Sequence, residues 1–212
     1  MLFRSGDSIM AFWNAPLDIT DHPARACRAA LAMRRALREL NAANAFAVAS
    51  HALDQVEVKI GIGINYGNAC VGNMGSARRF NYSAIGDVVN VAARIESTTK
   101  PFGTDILVSQ EIAKQAKAFA YLEAGSITLK GKSQSTTLYA LAGDEAHAST
   151  PGFIEHQHHH ARLLDAIASN SIIEARAALS ACRQRAEHDL IDFYDHFEEQ
   201  IERRTHALSP QS

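Results

Sequence analysis

The sequence predicts an α+β domain followed by a helical region. Three observations carry this prediction. Residues 56–64 alternate between apolar and polar side chains, as a half-buried strand does. Residues 21–44 instead repeat apolar side chains with the period of a helix. After Gly143 the chain turns small and polar, and residues 153–206 then carry a helical pattern. We therefore divide the chain into a domain over 1–143 and a helical extension over 144–212.

Composition excludes several classes of function. Hydrophobic residues make up 47% of the 212 residues and the formal net charge is −2, so no broad basic field favours nucleic acid. No apolar run reaches the roughly 20 residues of a membrane-spanning helix. Cys27, Cys70 and Cys182 lie far apart, which suits reduced thiols. We expect no nucleic-acid partner, no membrane segment in this chain and a cytoplasmic location.

The first half of the domain predicts a strand, a helix and a hairpin. Residues 8–13 form an aromatic-rich apolar run that ends at a turn containing Pro16, typical of a strand. Residues 65–68 are a turn signal, and residues 69–72 are expected to pair back on the strand at 56–64. The helix over 21–44 should bury an apolar face made of Cys27, Ala30, Leu31, Met33, Leu37 and Leu40, with Arg28, Arg35 and Arg38 largely opposite.

The second half predicts a helix that begins at an acidic cap and two further strands. Asp87 suits the N-cap of a helix over 88–98. A strand over 105–109 and a short helix over 110–117 follow. The last expected elements are strands over 121–123 and 126–142, with a turn at Gly131.

The extension predicts a helical hairpin with a break at 169–171, packed on the domain or on another subunit. Phe193, Tyr194 and Phe197 are expected to form a packing stripe. His156, His158, His159 and His160 cluster near a helix start, where histidines are more often solvated than bound to metal.

The residues with the clearest chemistry lie between Gly61 and Glu96. Asn90 and Arg94 are four apart on one helix, so they share a face. Arg94 can offer a charged fork to a phosphate, with the Asn90 amide beside it. Taken without its context, such a pair is more often a solvated surface pair. Glycines in this stretch allow close approach of a ligand or of another backbone; they occupy positions 61, 63, 67, 72 and 75.

Two turns carry charged candidates. Asp7 follows Gly6 at the tip of a predicted hairpin, where its carboxylate is either a turn former or a ligand for a divalent cation. Lys130 and Lys132 flank the turn at Gly131, as solvated residues or as triphosphate contacts.

Four motifs resemble those of the class III adenylate and guanylate cyclases, in that family's order. They occupy residues 6–16, 62–67, 71–76 and 79–96, and the resemblance extends over about residues 2–142. It implies a ferredoxin-like cyclase catalytic domain that lacks its first strand, with the helical hairpin after it.

The resemblance also implies an activity. ATP would be converted to 3′,5′-cyclic AMP and pyrophosphate at two Mg²⁺ or Mn²⁺ ions. Composite sites would form at the interface of a homodimer. Asn90 would orient the ribose and Arg94 would neutralise charge on the α-phosphate. The remaining assignments are Ser83 to adenine, Arg78 and Lys130 to the β- and γ-phosphates, and Asp7 to the metal ions.

The sequence departs from that family in two ways. The first metal aspartate has no counterpart before Gly6, and Phe3 lies near the position of the adenine-contacting lysine. We therefore expect an N-terminally truncated chain that forms no cyclic AMP above background with ATP and Mn²⁺. The resemblance places the regulatory region, and any membrane anchor of a full-length parent, before the catalytic domain.

Two alternatives remain. The missing aspartate favours a non-catalytic, cyclase-like module that binds nucleotide or a partner domain. A diguanylate cyclase is disfavoured, because its Gly-Gly-Asp/Glu-Glu-Phe turn does not match residues 5–9, which read Ser-Gly-Asp-Ser-Ile.

Overall fold

The computed structural model describes residues 2–5, 8–50, 56–76, 79–128, 135–187 and 190–208. The strands are β1 (Leu2–Ser5), β2 (Ser8–Ala11), β3 (Ile62–Ile64), β4 (Cys70–Ser76), β5 (Arg79–Ile85), β6 (Ile106–Ser109), β7 (Ala120–Thr128) and β8 (Ser135–Gly143). The helices are α1 (His22–Ala42), α2 (Ala45–Ser50), α3 (Asp87–Thr98), α4 (Gln110–Gln115), α5 (Glu145–Ala148), α6 (Pro151–Ala168), α7 (Ile172–Arg185) and α8 (Ile191–Leu208). This mixture confirms the predicted α+β class.

The central sheet has the strand order β3-β6-β8-β7. β3 and β6 run parallel, with α3 in the crossover between them, whereas β8 is antiparallel to both β6 and β7. Two separate hairpins, β1-β2 and β4-β5, complete the strands of the described residues.

The central sheet is buried on both faces. Along β6, Ile106 and Val108 join one hydrophobic cluster, and Leu107 joins the other. α1 and α4 cover the first face, while α3 and the long helices of the extension cover the second. This alternation is the two-residue period of a strand, and it explains why β6 is apolar throughout.

The predicted long strand over 56–64 is wrong at its first half. Only residues 62–64 pair, because the Asn41 side chain bonds the Val58 backbone instead, accepting from its N–H at 3.0 Å and donating to its C=O at 2.8 Å. The predicted pairing of 69–72 with this strand is also wrong. β4 pairs with β5, which the sequence pattern missed, with Cys70 opposite Ile85.

The predicted apolar face of α1 needs a correction. Met33 and Leu40 have 40% and 45% of their surface exposed, whereas Arg34 has only 9% exposed. The Arg34 guanidinium donates to the backbone carbonyls of Leu141 (3.3 Å) and Ala142 (2.8 Å) at the end of β8. A long side chain can cover apolar surface while its charged end finds hydrogen bonds, which a periodicity argument does not detect.

The predictions for the second half of the domain fare better. The helix over 88–98 and the strand over 105–109 are confirmed by α3 and β6. Gly86, however, is the N-cap, and Asp87 is the first helical residue. Two final strands exist, but their bounds differ from the predicted 121–123 and 126–142: residues 120–128 form the single strand β7, and β8 begins at residue 135. The predicted turn at Gly131 falls outside the described residues.

The extension contains two more helices than the predicted hairpin: the short α5, in the segment expected to be only small and polar, and α8. α6 and α7 flank the expected break at 169–171, and α8 follows a second break. Phe193, Tyr194 and Phe197 are fully buried, which confirms the packing stripe. They share one hydrophobic cluster with the central sheet, so the extension packs on the domain.

The histidine cluster is only partly solvated. His156 and His160 have only 3% of their surface exposed, which contradicts the expected exposure. His158 is exposed. The burial results from α8 lying against α6, a contact between distant segments that the local sequence does not encode. Among the helices of the described residues, none combines the length and apolar character that crossing a membrane requires.

Candidate active site

Helix α3 lies very close to strand β3 because two glycines face it. A Cβ at Gly63 would approach the Cα of Glu96 to 2.9 Å and would also meet the backbone of Ala92. A Cβ at Gly61 would lie 3.1 Å from the Glu96 carboxylate and would also meet the Thr99 hydroxyl. The sequence left open what these glycines admit. Gly63 admits the backbone of the helix, and Gly61 admits mainly the side chains of Glu96 and Thr99.

The start of α3 is also fixed by its surroundings. Gly86 has φ +149°, a conformation that side chains rarely adopt, and it turns the chain from β5 into the helix. The side-chain amide of Asn65 donates to the carbonyl of Val88 at 3.1 Å, which ties the loop after β3 to the first turn.

The exposed face of α3 carries the two principal candidates. Val91 and Ile95 face the core, at 7% and 0% exposure. Asn90 and Arg94 both lie on the exposed side. Within the part of the chain that the structure describes, neither side chain has a hydrogen bond or an ion-pair partner. The two groups are therefore side by side, anchored through a rigid helix and available to a ligand.

Ser83 lies on the β4-β5 hairpin, directly before α3. It pairs in register with Gly72, and a Cβ at Gly72 would meet no heavy atom of the described residues within 4 Å. Space is therefore open beside the half-buried Ser83. The other face of β5 is occupied, because the Tyr82 ring lies 6.2 Å from the Phe12 ring and Ala84 is buried.

The other three candidates, Asp7, Arg78 and Lys130, lie outside the described residues. The structure therefore brings together Asn90 and Arg94 and places Ser83 on the adjoining strand. Among described residues, no group of three or more His, Cys, Asp or Glu side chains could hold a metal ion. Asp7 remains the metal ligand that the sequence predicts.

A helix face with a guanidinium and an amide suits recognition of a phosphorylated ligand. The guanidinium offers a fork of donors to phosphate oxygens, and the amide can donate to or accept from a sugar hydroxyl. Both groups face away from the core that the described residues form, so enclosing a ligand requires groups beyond the exposed face of α3.

The chain matches a family of known catalytic domains. The family model described as "Adenylate and Guanylate cyclase catalytic domain" matches residues 4–143. The chain belongs to this family. Adenylate cyclase 1 of Rhizobium meliloti is 37% identical over 139 residues, which are 65% of this chain and 20% of that protein. An adenylate cyclase of Anabaena cylindrica is 33% identical over 141 residues, 64% of this chain and 26% of that protein.

Family members of both base specificities resemble this chain. The guanylate cyclase soluble subunit beta-2 of Rattus norvegicus is 27% identical over 136 residues, 64% of this chain and 18% of that subunit. The chain thus spans about a quarter or less of the length of these curated relatives.

Solved cyclase structures share the fold. The adenylyl cyclase CyaB from P. aeruginosa superimposes with a TM-score of 0.55 at 28% identity, over 65% of this chain and 68% of that chain. The guanylyl cyclase Cya2 gives 0.56 at 30% identity, over 68% of this chain and 70% of that chain. These likenesses confirm the cyclase catalytic-domain fold expected from the motifs.

Sequence reasoning missed the residues that position α3. Asn65 was read only as part of a turn, although its amide holds Val88. An asparagine between two glycine-containing strands is a weak signal, because the same residue type is common in any turn. Gly86, directly before the helix, is the clearer indication of where the helix begins. The sequence pattern instead predicted the N-cap at the next residue, Asp87.

Proposed function

We propose that this chain carries the catalytic domain of an adenylate cyclase that converts ATP to 3′,5′-cyclic AMP and pyrophosphate in signal transduction. Residues 1–143 form that domain and residues 144–212 a helical extension. The observation that carries the proposal is the exposed pair of Asn90 and Arg94, which have no partner among the described residues of a chain from this family.

Charge explains the role of Arg94. Negative charge builds on the α-phosphate and the leaving pyrophosphate as the ring closes, and a guanidinium held on a packed helix is already oriented toward it. Asn90 holds the ribose so that its 3′-hydroxyl faces the α-phosphorus. Arg78 and Lys130 neutralise the β- and γ-phosphates.

Asp7 is the proposed contribution of this chain to a Mg²⁺ or Mn²⁺ site, and its donor chemistry fits a hard cation. Cations held there by Asp7 would supply activation of the attacking hydroxyl and stabilisation of the leaving oxygens. The residues of this chain supply the rest: they bind the triphosphate, orient the sugar and hold positive charge beside it.

Ser83 supports adenine as the base. Its hydroxyl can accept from the exocyclic amine of adenine, and the open space over Gly72 leaves room for a planar ring. Because relatives of both specificities match this chain, base choice depends on this position and on Phe3, where the resemblance places a lysine.

The proposed active unit is a homodimer. Asn90 and Arg94 face away from the core of their own chain, so the metal-side residues that complete the site come from a second copy. Phe3, in place of the lysine that the resemblance assigns to the base, predicts impaired activity for the chain as given.

The alternative is a non-catalytic module that binds nucleotide or a partner domain. Phe3 favours it, because this residue cannot make the polar base contact that the resemblance assigns to a lysine. The experiment below separates the two functions.

The test extends the matched region with the corresponding segment of a relative. The full chain is fused, ahead of Leu2, to the segment that precedes the matched residues in adenylate cyclase 1 of Rhizobium meliloti, with Phe3→Lys. We name this protein the fused chain. With Mn²⁺ and either ATP or GTP, the products are identified by mass spectrometry for the fused and the unfused chain.

We expect the fused chain to form cyclic AMP in preference to cyclic GMP, and the unfused chain to form none above background. Asn90→Ala and Arg94→Ala should each lower kcat of the fused chain by about 10²–10³-fold. Arg35→Ala, at an exposed arginine of α1, should have no effect. A folded fused chain that binds ATP without turnover would support the non-catalytic module. Turnover that is insensitive to Arg94→Ala would refute the assignment.

A further inference from the structure

The loop after α3 contacts the start of α8 without room for a side chain. Gly103 has φ +62°, and a Cβ there would lie 2.8 Å from the backbone nitrogen of Phe193 and would also meet the carbonyl of Asp192. Such distances are well inside van der Waals contact. The backbone of the catalytic domain therefore lies directly on the backbone of the extension.

Two rings strengthen this contact. The centroids of the Phe102 and His196 rings are 4.6 Å apart. The His196 imidazole also hydrogen-bonds the backbone of Pro101, whose only backbone polar group is its carbonyl, so the ring N–H donates. The other ring nitrogen, Nε2, lies 2.7 Å from the Gln200 amide nitrogen. Phe102 lies against β7 on its other side, because a Cβ at Gly125 would approach its ring to 3.2 Å.

The same loop is bonded to the last turn of α3. The Phe102 N–H donates to the carbonyl of Thr98 at 3.2 Å, and the Thr104 N–H donates to that of Thr99 at 3.1 Å. One turn earlier, the Thr98 hydroxyl lies 3.1 Å from the carbonyl of Arg94. Backbone contacts therefore run from α8 through the loop to Thr98, and the side-chain hydroxyl of Thr98 makes the last link to the carbonyl of Arg94.

The buried side of α3 makes a second connection. Val91 and Ile95 belong to the same hydrophobic cluster as Phe193, Tyr194 and Phe197 of α8. Packed cores do not deform continuously, so a displacement of α8 disturbs the cluster in which α3 is also packed.

We infer that α8 is a positioning element for the active site, and that Gly103, Phe102 and His196 are positioning residues for Asn90 and Arg94. This inference rests on the proposed function. It goes beyond that function, because the family match ends at residue 143 and α8 lies entirely after it. The extension thus sets the placement of a catalytic helix that belongs to the matched domain.

The expected kinetic signature follows from when Arg94 and Asn90 act. Groups that stabilise mainly the transition state affect kcat, whereas groups that bind the base and the triphosphate equally in both states affect KM. Loosening α8 should therefore lower kcat and leave KM nearly unchanged. A merely structural loss of stability would reduce the fraction of folded enzyme and with it the apparent kcat, also at unchanged KM. The kinetics are therefore compared at a temperature where every variant is fully folded, so that such a loss does not contribute.

The test compares two variants with two matched controls. Gly103→Ala adds a methyl group against α8, and His196→Ala removes the bond to Pro101 without adding atoms. The controls are Gly152→Ala, where a Cβ meets nothing within 4 Å among described residues, and His158→Ala, an exposed histidine on α6. His196→Asn keeps a donor near the position of Nδ1 and should rescue His196→Ala.

The first readout, amide hydrogen exchange of residues 88–98 in the unfused chain, does not depend on catalysis. We expect exchange to be faster by about tenfold in both variants and unchanged in the controls. The second readout is kinetics of the fused chain, where kcat should fall by about tenfold or more with KM within about twofold.

Each outcome decides the inference. Unchanged exchange of residues 88–98 in His196→Ala would overturn it, whether or not the chain is a cyclase. Faster exchange with unchanged kcat would overturn the positioning role. If the fused chain has no cyclase activity, the proposed function fails, and the exchange measurement still decides the coupling of α3 to α8. Should Gly103→Ala not fold, His196→Ala and its rescue give the result.

Discussion

The Nε2 atom of His156 lies 2.7 Å from the hydroxyl oxygen of Tyr194, inside the core that joins the extension to the sheet. The same hydroxyl lies 3.2 Å from Nδ1 of His160, whose Nε2 lies 2.8 Å from the carbonyl of Glu123. A carbonyl only accepts, so Nε2 of His160 carries a proton and its Nδ1 accepts from Tyr194. The hydroxyl then accepts from His156. Both imidazoles are neutral in this arrangement.

This network predicts that stability falls in mild acid. Burial lowers the pKa of His156 to about 4, and the charge of Arg185 acts in the same direction. Burial also lowers the pKa of His160 to about 4, against the opposing effect of its bond to Glu123. Unfolded histidines titrate near 6.5. As the pH falls from about 6.5 to about 4, the unfolded state therefore gains protons that the folded state does not, and the free energy of unfolding decreases.

Urea unfolding between pH 7.5 and pH 4.5 measures this loss. We expect a decrease on the order of a few kcal/mol from the two histidines together. His160→Gln should flatten the pH dependence, since it removes one of the two titrating groups, whereas His158→Ala should leave it unchanged. An unfolding free energy that is constant across this range, or equal slopes in all three proteins, would refute the network as the source.

Replacing the buried Arg34 should destabilise the folded chain. Burial lowers the pKa of this guanidinium to about 10, so it stays charged at neutral pH while it donates to the carbonyls of Leu141 and Ala142. Arg34→Met keeps much of the apolar contact and removes both bonds. We expect a loss of about 1.5–3 kcal/mol in the free energy of unfolding. Arg35→Met, at the exposed neighbour, should change it by less than about 0.5 kcal/mol; equal effects at both positions would contradict the account.

The same added methyl group should affect stability at one glycine and not at another. Gly63→Ala pushes against the backbone of α3 and should cost about 1–3 kcal/mol in unfolding free energy. Gly72→Ala meets no described atom within 4 Å and should leave stability nearly unchanged, yet it narrows the space beside Ser83. In the fused chain we therefore expect Gly72→Ala to raise KM for ATP. Thermal unfolding together with steady-state kinetics separates the two effects, and a destabilised Gly72→Ala would contradict them.

Local patterns predicted most elements, because period and capping are properties of neighbouring residues. The helix of α3, the strand β6 and the break before α7 are examples. The partner of β4 could not be predicted in this way, since choosing β5 over β3 depends on contacts between segments. The side chain of Asn41, which replaces strand pairing at Val58, is a further contact of this kind.

The candidate site divides along the same line. The shared face of Asn90 and Arg94 follows from their spacing of four residues, and the structure shows that face exposed. The sequence could not reveal that Gly63 packs against the backbone of α3, or that Gly103 packs against the backbone of α8. A glycine in the sequence shows that close approach is possible, but not which segment makes it. Likewise, His196 lies about 100 residues from Arg94 in the sequence. Its contact with Phe102, in the loop after α3, exists only in the folded chain.

The most direct test of the account mixes two inactive proteins. In the fused chain, Asp7→Ala removes the proposed metal ligand and Arg94→Ala removes the proposed phosphate contact, so each variant alone should form almost no cyclic AMP. If the two groups serve one site from different subunits, the mixture should recover roughly a quarter of the activity of the unsubstituted fused chain. Random pairing makes about half of the dimers mixed, and each mixed dimer has one of its two sites intact. A mixture as inactive as its components, beside an active unsubstituted fused chain, would contradict the composite site.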